Sequence, residues 1–457
     1  MTFLPRKLPT AAHGFAALAI AAALMLGACQ GARVQKGQGE TQATTGEEAV
    51  FPPGVLPETD PFYRSLLDPE VAPNPPSPNV GLLLPLSGRH AEIGRAMRNA
   101  AQLAVFDIAD DQFRLIVRDT GGTAAGAREA AKSALDAGAS LVLGPLFGAS
   151  VAAVAEEAQA RAVNVIAFSN DMSVAGANVF VMGLAPGPQV ERVVGYAAAQ
   201  GLQRFALLAP NNSYGHAIIT AMQGAVSGNG AQLTRISAFD PTAPDPSPQV
   251  RALGDYDERK KTLEEQRADL EARGDEASLA QLKELENLDT IGSPEFEAVL
   301  LPLGGQSLMT IAPLLAFYDI DPEEVQFMGT ALWDDPRVGS EVTLRGGWYA
   351  APSPALWKEF SGRYKAAYGA MPPRLASLAY DATALAAVLA RNGTQLGGPP
   401  DFGSAAITQA SGFAGIDGIF RFRPTGEIER GLAVLEMGQN GITVLDPAPV
   451  SFERLIN

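Results

Sequence analysis

Cys29 is the only cysteine in the 457-residue chain. A lone thiol can be a buried small hydrophobe, a reactive group or an attachment point. It rules out an internal disulfide and a multi-cysteine zinc site. Histidine is nearly as scarce, with His13, His90 and His216 the full set. The commonest acid–base and metal-ligating side chain is thus almost missing. The patterns G-x-x-x-x-G-K-[ST], H-E-x-x-H, S-x-x-K and G-x-S-x-G do not occur, which removes the phosphate loop, the zinc helix and two serine-nucleophile motifs. His90-Ala91-Glu92 mimics a deaminase fragment but lacks the cysteine pair that would follow it. These absences predict a protein that is not an enzyme and carries no cofactor or metal.

The polar residues that could bind something are of another kind. Ser87, Gly88, Ser150, Ser169, Asn170, Asp171, Tyr214 and Asp334 fall near the ends of apolar runs. Ser and Asn beside free backbone N–H groups suit a carboxylate, and Asp171 or Asp334 would suit an ammonium. The same Ser and Asn types are ordinary helix caps, so both readings stay open.

The residues around Cys29 favour attachment. Arg6 and Lys7 precede a short apolar run, Ala16 to Leu26. A bilayer core needs about 20 apolar residues, so this run fits an export signal instead. Leu26-Gly27-Ala28-Cys29 is similar to a bacterial lipobox, in which the cysteine is acylated and becomes the new N-terminus. Several acyl chains anchor stably where one is marginal. By resemblance to enterobacterial sorting signals, Gln30 after the cysteine, rather than Asp, implies the periplasmic face of the outer membrane, with the inner membrane as the alternative. From Gly31 to about Asn79 the chain is Gly/Thr-rich and then dense in proline, as a semi-rigid tether would be. The formal net charge of −16 repels nucleic acid and anionic lipid surfaces.

Those candidate residues need a frame, and the rhythm from Asn79 supplies one. Strand-like runs at Val80–Gly88, Phe113–Asp119, Ser140–Pro145, Val163–Ser169 and Val179–Gly183 alternate with helical patterns. A second series runs through Arg204–Pro210, Ala231–Asp240, Phe296–Gly305 and Val325–Thr330. Strands alternating with helices predict an α/β fold of two doubly wound parallel-sheet lobes. We expect a signal peptide over 1–28 and a lipidated tether over 29–78. Lobe 1 is expected over 79–185, completed by about 331–410. Lobe 2 is expected over 186–330, completed by about 411–448. A densely charged stretch, Asp255–Leu288, interrupts lobe 2. Leucines at 263, 270, 279, 282, 285 and 288, with Gly274-Asp275 between them, predict a helical hairpin within about 250–290. It is either a solvated decoration or a docking arm.

Two such lobes behind an export signal resemble type I periplasmic binding proteins, in their leucine/isoleucine/valine-binding branch. The resemblance covers about Asn79 to Leu445. It is carried by "VGLLLPLSGRHAEIGRAMRNAAQLAVFDI", "LVLGPLFGASVAAVAEEAQARAVNVIAFSND", "LLAPNNSYGHAIITAMQ" and "GFAGIDGIFRFRPTGEIERGLAVLEM". Within that superfamily the lipobox, the "LLLPLSGR" opening and the charged insertion resemble the penicillin-binding-protein activator lipoproteins of LpoA type. That resemblance implies binding and activation of a peptidoglycan synthase. The broader one implies a solute-binding lipoprotein for a branched-chain or related amino acid of an ABC transporter. Amino-acid binders of this branch carry a small Ser/Ala/Thr run after the fourth strand, and here "AFSNDMS" includes Phe168.

Overall fold

The computed structural model describes residues 78–335, 337–395, 398–439 and 441–452. Cys29, the expected signal segment and the tether up to residue 77 lie outside the described residues.

The first sheet is fully parallel. Its strands are β1 (Asn79–Leu84), β2 (Arg114–Asp119), β3 (Leu141–Leu143), β4 (Asn164–Ala167) and β5 (Val179–Val181), in the order β2-β1-β3-β4-β5. The crossovers are α1 (Ala91–Ile108), α2 (Ala124–Asp136) and α3 (Gly148–Gln159). The continuous apolar run of β1 follows from this layering. Successive strand residues point to opposite faces, and helices cover both. Val80, Leu82 and Leu84 enter one core, while Leu83 enters the core on the other face.

The second sheet holds seven strands. They are β6 (Arg204–Pro210), β7 (Gln232–Phe239), β8 (Ala298–Leu300), β9 (Gln326–Thr330), β10 (Trp348–Ala351), β14 (Ala433–Gly438) and β15 (Gly441–Asp446), in the order β15-β14-β10-β9-β8-β6-β7. The last two are antiparallel additions to a parallel set. On β6 the same alternation appears: Ala206 and Leu208 face one core, Phe205 and Leu207 the other. The helices α4 (Pro186–Ala199), α5 (Ser213–Gly228) and, later, α9 (Gly305–Phe317) connect the strands.

The C-terminal third departs from the expected division. β10 pairs with β9 and β14, so the stretch through Ala351 completes lobe 2 rather than lobe 1. The small sheet β11 (Phe413–Gly415), β12 (Gly418–Phe422) and β13 (Ile428–Arg430) belongs to lobe 1. Phe420, Phe422 and Ile428 share a core with Leu82 and Phe180, and Val181 donates its N–H to the Gly426 carbonyl at 2.8 Å. Among the described residues the chain therefore passes between lobes near 183–185, 352–353 and 431–432. Gly183 marks the first passage. A Cβ there would lie 2.1 Å from the Ser169 carbonyl oxygen, so only glycine lets the two segments approach.

The charged insertion folds locally as expected. After α6 (Ser247–Leu253) come α7 (Tyr256–Arg273) and α8 (Glu276–Leu285). Gly274 takes φ 61° and closes the first helix. Asp275 caps the second by accepting from the Ser278 N–H at 2.8 Å. The seam is thinner than the leucine count suggests. Leu263 and Leu270 are buried, whereas Leu279 and Leu288 are exposed. A three-residue spacing drifts about 60° per step around a helix, so four leucines cannot share one narrow face. On the opposite side of the sequence, α10 (Pro354–Tyr368) and α11 (Ala376–Gln395) pack against α1 through Ala100, Ala104, Phe360, Ala376 and Tyr380. They belong to lobe 1.

Candidate ligand cleft

The segment after β4 supplies the lobe 1 wall. Ser169 is buried, and its hydroxyl accepts from the Asp171 N–H at 3.0 Å. Asp171 Oδ1 in turn accepts from the Ser173 N–H at 3.0 Å and its hydroxyl at 2.6 Å. This local turn holds Asn170 and Asp171 outward at the strand end. From lobe 2, Asn212 caps α5 by accepting from the Gly215 N–H at 3.0 Å. The cap sets the first helical turn, which carries Tyr214. The Tyr214 hydroxyl lies 3.4 Å from that of Thr330. Burial raises the phenol above its ordinary pKa, opposed by the Thr330 hydrogen bond.

These two walls enclose a cleft of ≈ 1160 Å³. Asn170, Asp171, Tyr214, the start of α4 at Pro186, Arg192 and Arg430 are among the groups that line it. The volume is on the generous side for a single small solute, since ligand pockets commonly run about 300–1,000 Å³. Arg192 is committed to structure: its Nε donates to the Leu432 carbonyl at 2.9 Å and it pairs with Asp446 at 2.8 Å.

The structure thus brings Asn170, Asp171 and Tyr214 of the predicted residues together around one space. It places the others elsewhere. Ser87 and Gly88 are exposed in the β1–α1 loop. The Ser87 and Leu86 amides donate to Asp119 Oδ1 at 3.2 and 2.8 Å, as does the Gly121 amide at 2.8 Å. Burial alone would raise the Asp119 carboxyl, but the Ser87 hydroxyl and these amides hold it below the ordinary carboxylate range. Ser150 is buried in the first turn of α3 and is not a wall residue. Ser169 supports Asp171 without lining the cleft. Asp334 is not a free acid for a ligand ammonium: its Oδ2 accepts from Arg374 Nε at 3.2 Å.

Sequence reasoning missed the polar cluster to which Asp334 leads. Arg374 Nη1 meets Asp417 at 2.5 Å, and Ser377 donates to the other Asp417 oxygen at 2.8 Å. Arg374 also lies 4.5 Å from the centre of the Trp357 ring. Arg430 donates to the carbonyls of Asp417 at 3.3 Å and Met182 at 3.1 Å. Asp381 accepts from the Ile416 and Asp417 amides at 2.7 and 3.2 Å. The one available signal was a charged residue interrupting apolar strand positions, as Arg430 does in "IER". Among the described residues no group of three or more His, Cys, Asp or Glu could hold a metal ion. Nor is any described helix long and apolar enough to cross a membrane.

Comparison with known proteins fits this geometry. The sequence matches the periplasmic binding protein family over residues 77–441. The chain belongs to that family. A branched-chain amino acid ABC transporter periplasmic ligand-binding protein from Burkholderia xenovorans LB400 superposes with a TM-score of 0.62 at 15% identity, covering 81% of this chain and 95% of that one. The substrate-binding protein LivJ from Streptococcus pneumoniae, in complex with isoleucine, gives 0.54 at 17% identity, covering 81% and 99%. A solute-binding protein of an ABC transporter from Rhodopseudomonas palustris BisB5, in complex with 3,4-dihydroxybenzoic acid, gives 0.56 at 17%, covering 82% and 96%. At such identities these likenesses concern the fold, and the last two hold different ligands on it. An uncharacterized protein of Rickettsia prowazekii (strain Madrid E) is 23% identical over 161 residues, 35% of this chain. The match spans 43% of that relative's length.

Proposed function

We propose that this periplasmic binding protein acts without catalysis, by holding a small polar ligand between its two lobes. The observation that carries this reading is the cleft itself, with Asp171 and Asn170 from one lobe and Tyr214 from the other. Asp171 Oδ1 is occupied by Ser173, leaving Oδ2 as the acceptor suited to a ligand ammonium. The ligand class we favour is a branched-chain or related amino acid delivered to an ABC transporter, as the isoleucine held on the same fold by LivJ would suit an ammonium-accepting carboxylate here. A thermal-shift series with leucine, isoleucine, valine and muropeptides tests this. A ligand present at 100 times its Kd adds about 2.7 kcal/mol of stability. No stabilisation by any member of the series would count against the reading.

A second reading is favoured by the hairpin Tyr256–Leu285. Its outward faces are charged, Leu279 stands exposed on it, and Leu288 is exposed just after it. In this reading the protein is a lipoprotein anchored through acylated Cys29 on the periplasmic face of the outer membrane. It regulates peptidoglycan synthesis by binding and activating a penicillin-binding protein. Pull-down with the acylated protein, with and without Asp255–Leu288, decides this. Retention of a synthase only by the intact chain supports it; no retention by either form removes it.

A further inference from the structure

Asp334 and Arg374 lie on different lobes. Asp334 follows β9, and its neighbour Trp333 is sealed in the lobe 2 core with its indole N–H on the Leu301 carbonyl at 3.1 Å. Arg374 precedes α11, which packs in lobe 1. Among the described residues no other ion pair joins the two lobes.

We propose that the Asp334–Arg374 pair is a releasable latch that holds the lobes in the arrangement seen here and must part when the cleft changes width. Three features fit a latch rather than a weld. First, the contact is a single hydrogen bond of 3.2 Å through Nε, not a two-pronged fork. Second, the two partners are held unequally. Arg374 keeps Asp417, at 2.5 Å, and the Trp357 ring within lobe 1 whether or not Asp334 is present. Parting therefore leaves no uncompensated guanidinium behind, which is the usual reason that breaking a buried pair is costly. Asp334, on the other side, regains water, and its burial in the joined state raises its carboxyl above the ordinary range, offset by Arg374. Third, the latch is wired to the cleft wall through one short loop. Thr330 touches the cleft residue Tyr214, and the Ala331 N–H donates to Gln189 Oε1 at 2.8 Å. The Gln189 amide nitrogen donates to the carbonyls of Leu184 and Ala185 at the first passage between lobes. A group that pushes on Tyr214 pushes on the element that carries Asp334.

The latch takes its purpose from the cleft reading, but its test needs no ligand. Spin labels at exposed Lys132 of lobe 1 and Gln223 of lobe 2 report the separation of the lobes. The full chain would carry Cys29→Ser so that the labels are the only thiols. In Asp334→Asn, the population at the parent distance should fall at least twofold, with a second distance appearing. Asp335→Asn should leave the distribution unchanged, because Asp335 pairs with Arg337 inside its own loop. Asp334→Ser is the second removal should the amide variant fold poorly. A distribution in the folded Asp334 variants that superimposes on the parent's would overturn the proposal. Absence of any cleft ligand would leave this result untouched.

Discussion

Asp381 is fully enclosed, yet it is a carboxyl. Burial raises its pKa to about 7, with the Asp417 charge adding to the rise and Arg430 and two backbone amides opposing it. The unfolded chain titrates near the ordinary value of about 3.9. A folded pKa above the unfolded one means that the group's contribution is fully present below about pH 4. It is lost as pH rises toward about 7, and flat above that. Comparing urea unfolding of the wild type with Asp381→Asn at pH 5 and pH 8 checks the sign. The wild type should lose stability relative to the variant on going to pH 8; an unchanged difference would contradict it. At this scale the sequence was half legible. Asp171 and Tyr214 sit just after a strand and at a helix start, positions a sequence can mark because turns and caps are local chemistry. Asp334 did not, because its partner Arg374 lies forty residues on and nothing near either residue encodes the pairing. Asp417 was invisible for the same reason, while Arg430 showed only as a charge interrupting an apolar strand, with nothing to name its partners.

At the scale of elements, one side chain, Arg259, ties the hairpin to the rest of lobe 2 beside its buried leucines. Arg259 reaches from α7 to the Gly292 carbonyl and pairs with Asp319 at 3.1 Å. Burial lowers its pKa, opposed by Asp319 and by Glu324 and Asp255 at longer range. A net hydrogen bond to a charged group is worth about 1.5–3 kcal/mol. Arg259→Ala should therefore speed amide exchange over 256–285 by roughly tenfold or more, with exchange in β6 and β8 unchanged. Equal protection in the variant would show that Leu263 and Leu270 hold the arm alone. The hairpin was readable because its turn, cap and periodicity are all local. The placement of β10 and of the small sheet β11–β13 was not. Antiparallel return strands are chosen by partners far along the chain, and a short apolar run looks the same in either lobe.

At the scale of the whole molecule, the first two-thirds of the fold was legible from alternation of strand and helix. The return path, by which the lobes share the last third of the chain, was not. That path creates the three passages between lobes, and with them a cleft whose walls come from both. The proposed function stands on that cleft taking a ligand. Isothermal titration with leucine, isoleucine and valine, on the wild type and on Asp171→Ala and Tyr214→Ala, tests it most directly. We expect saturable binding of at least one of them, weakened about tenfold or more in each variant, equivalent to about 1.4 kcal/mol. Flat titrations with all three, or binding that neither variant weakens, would contradict it.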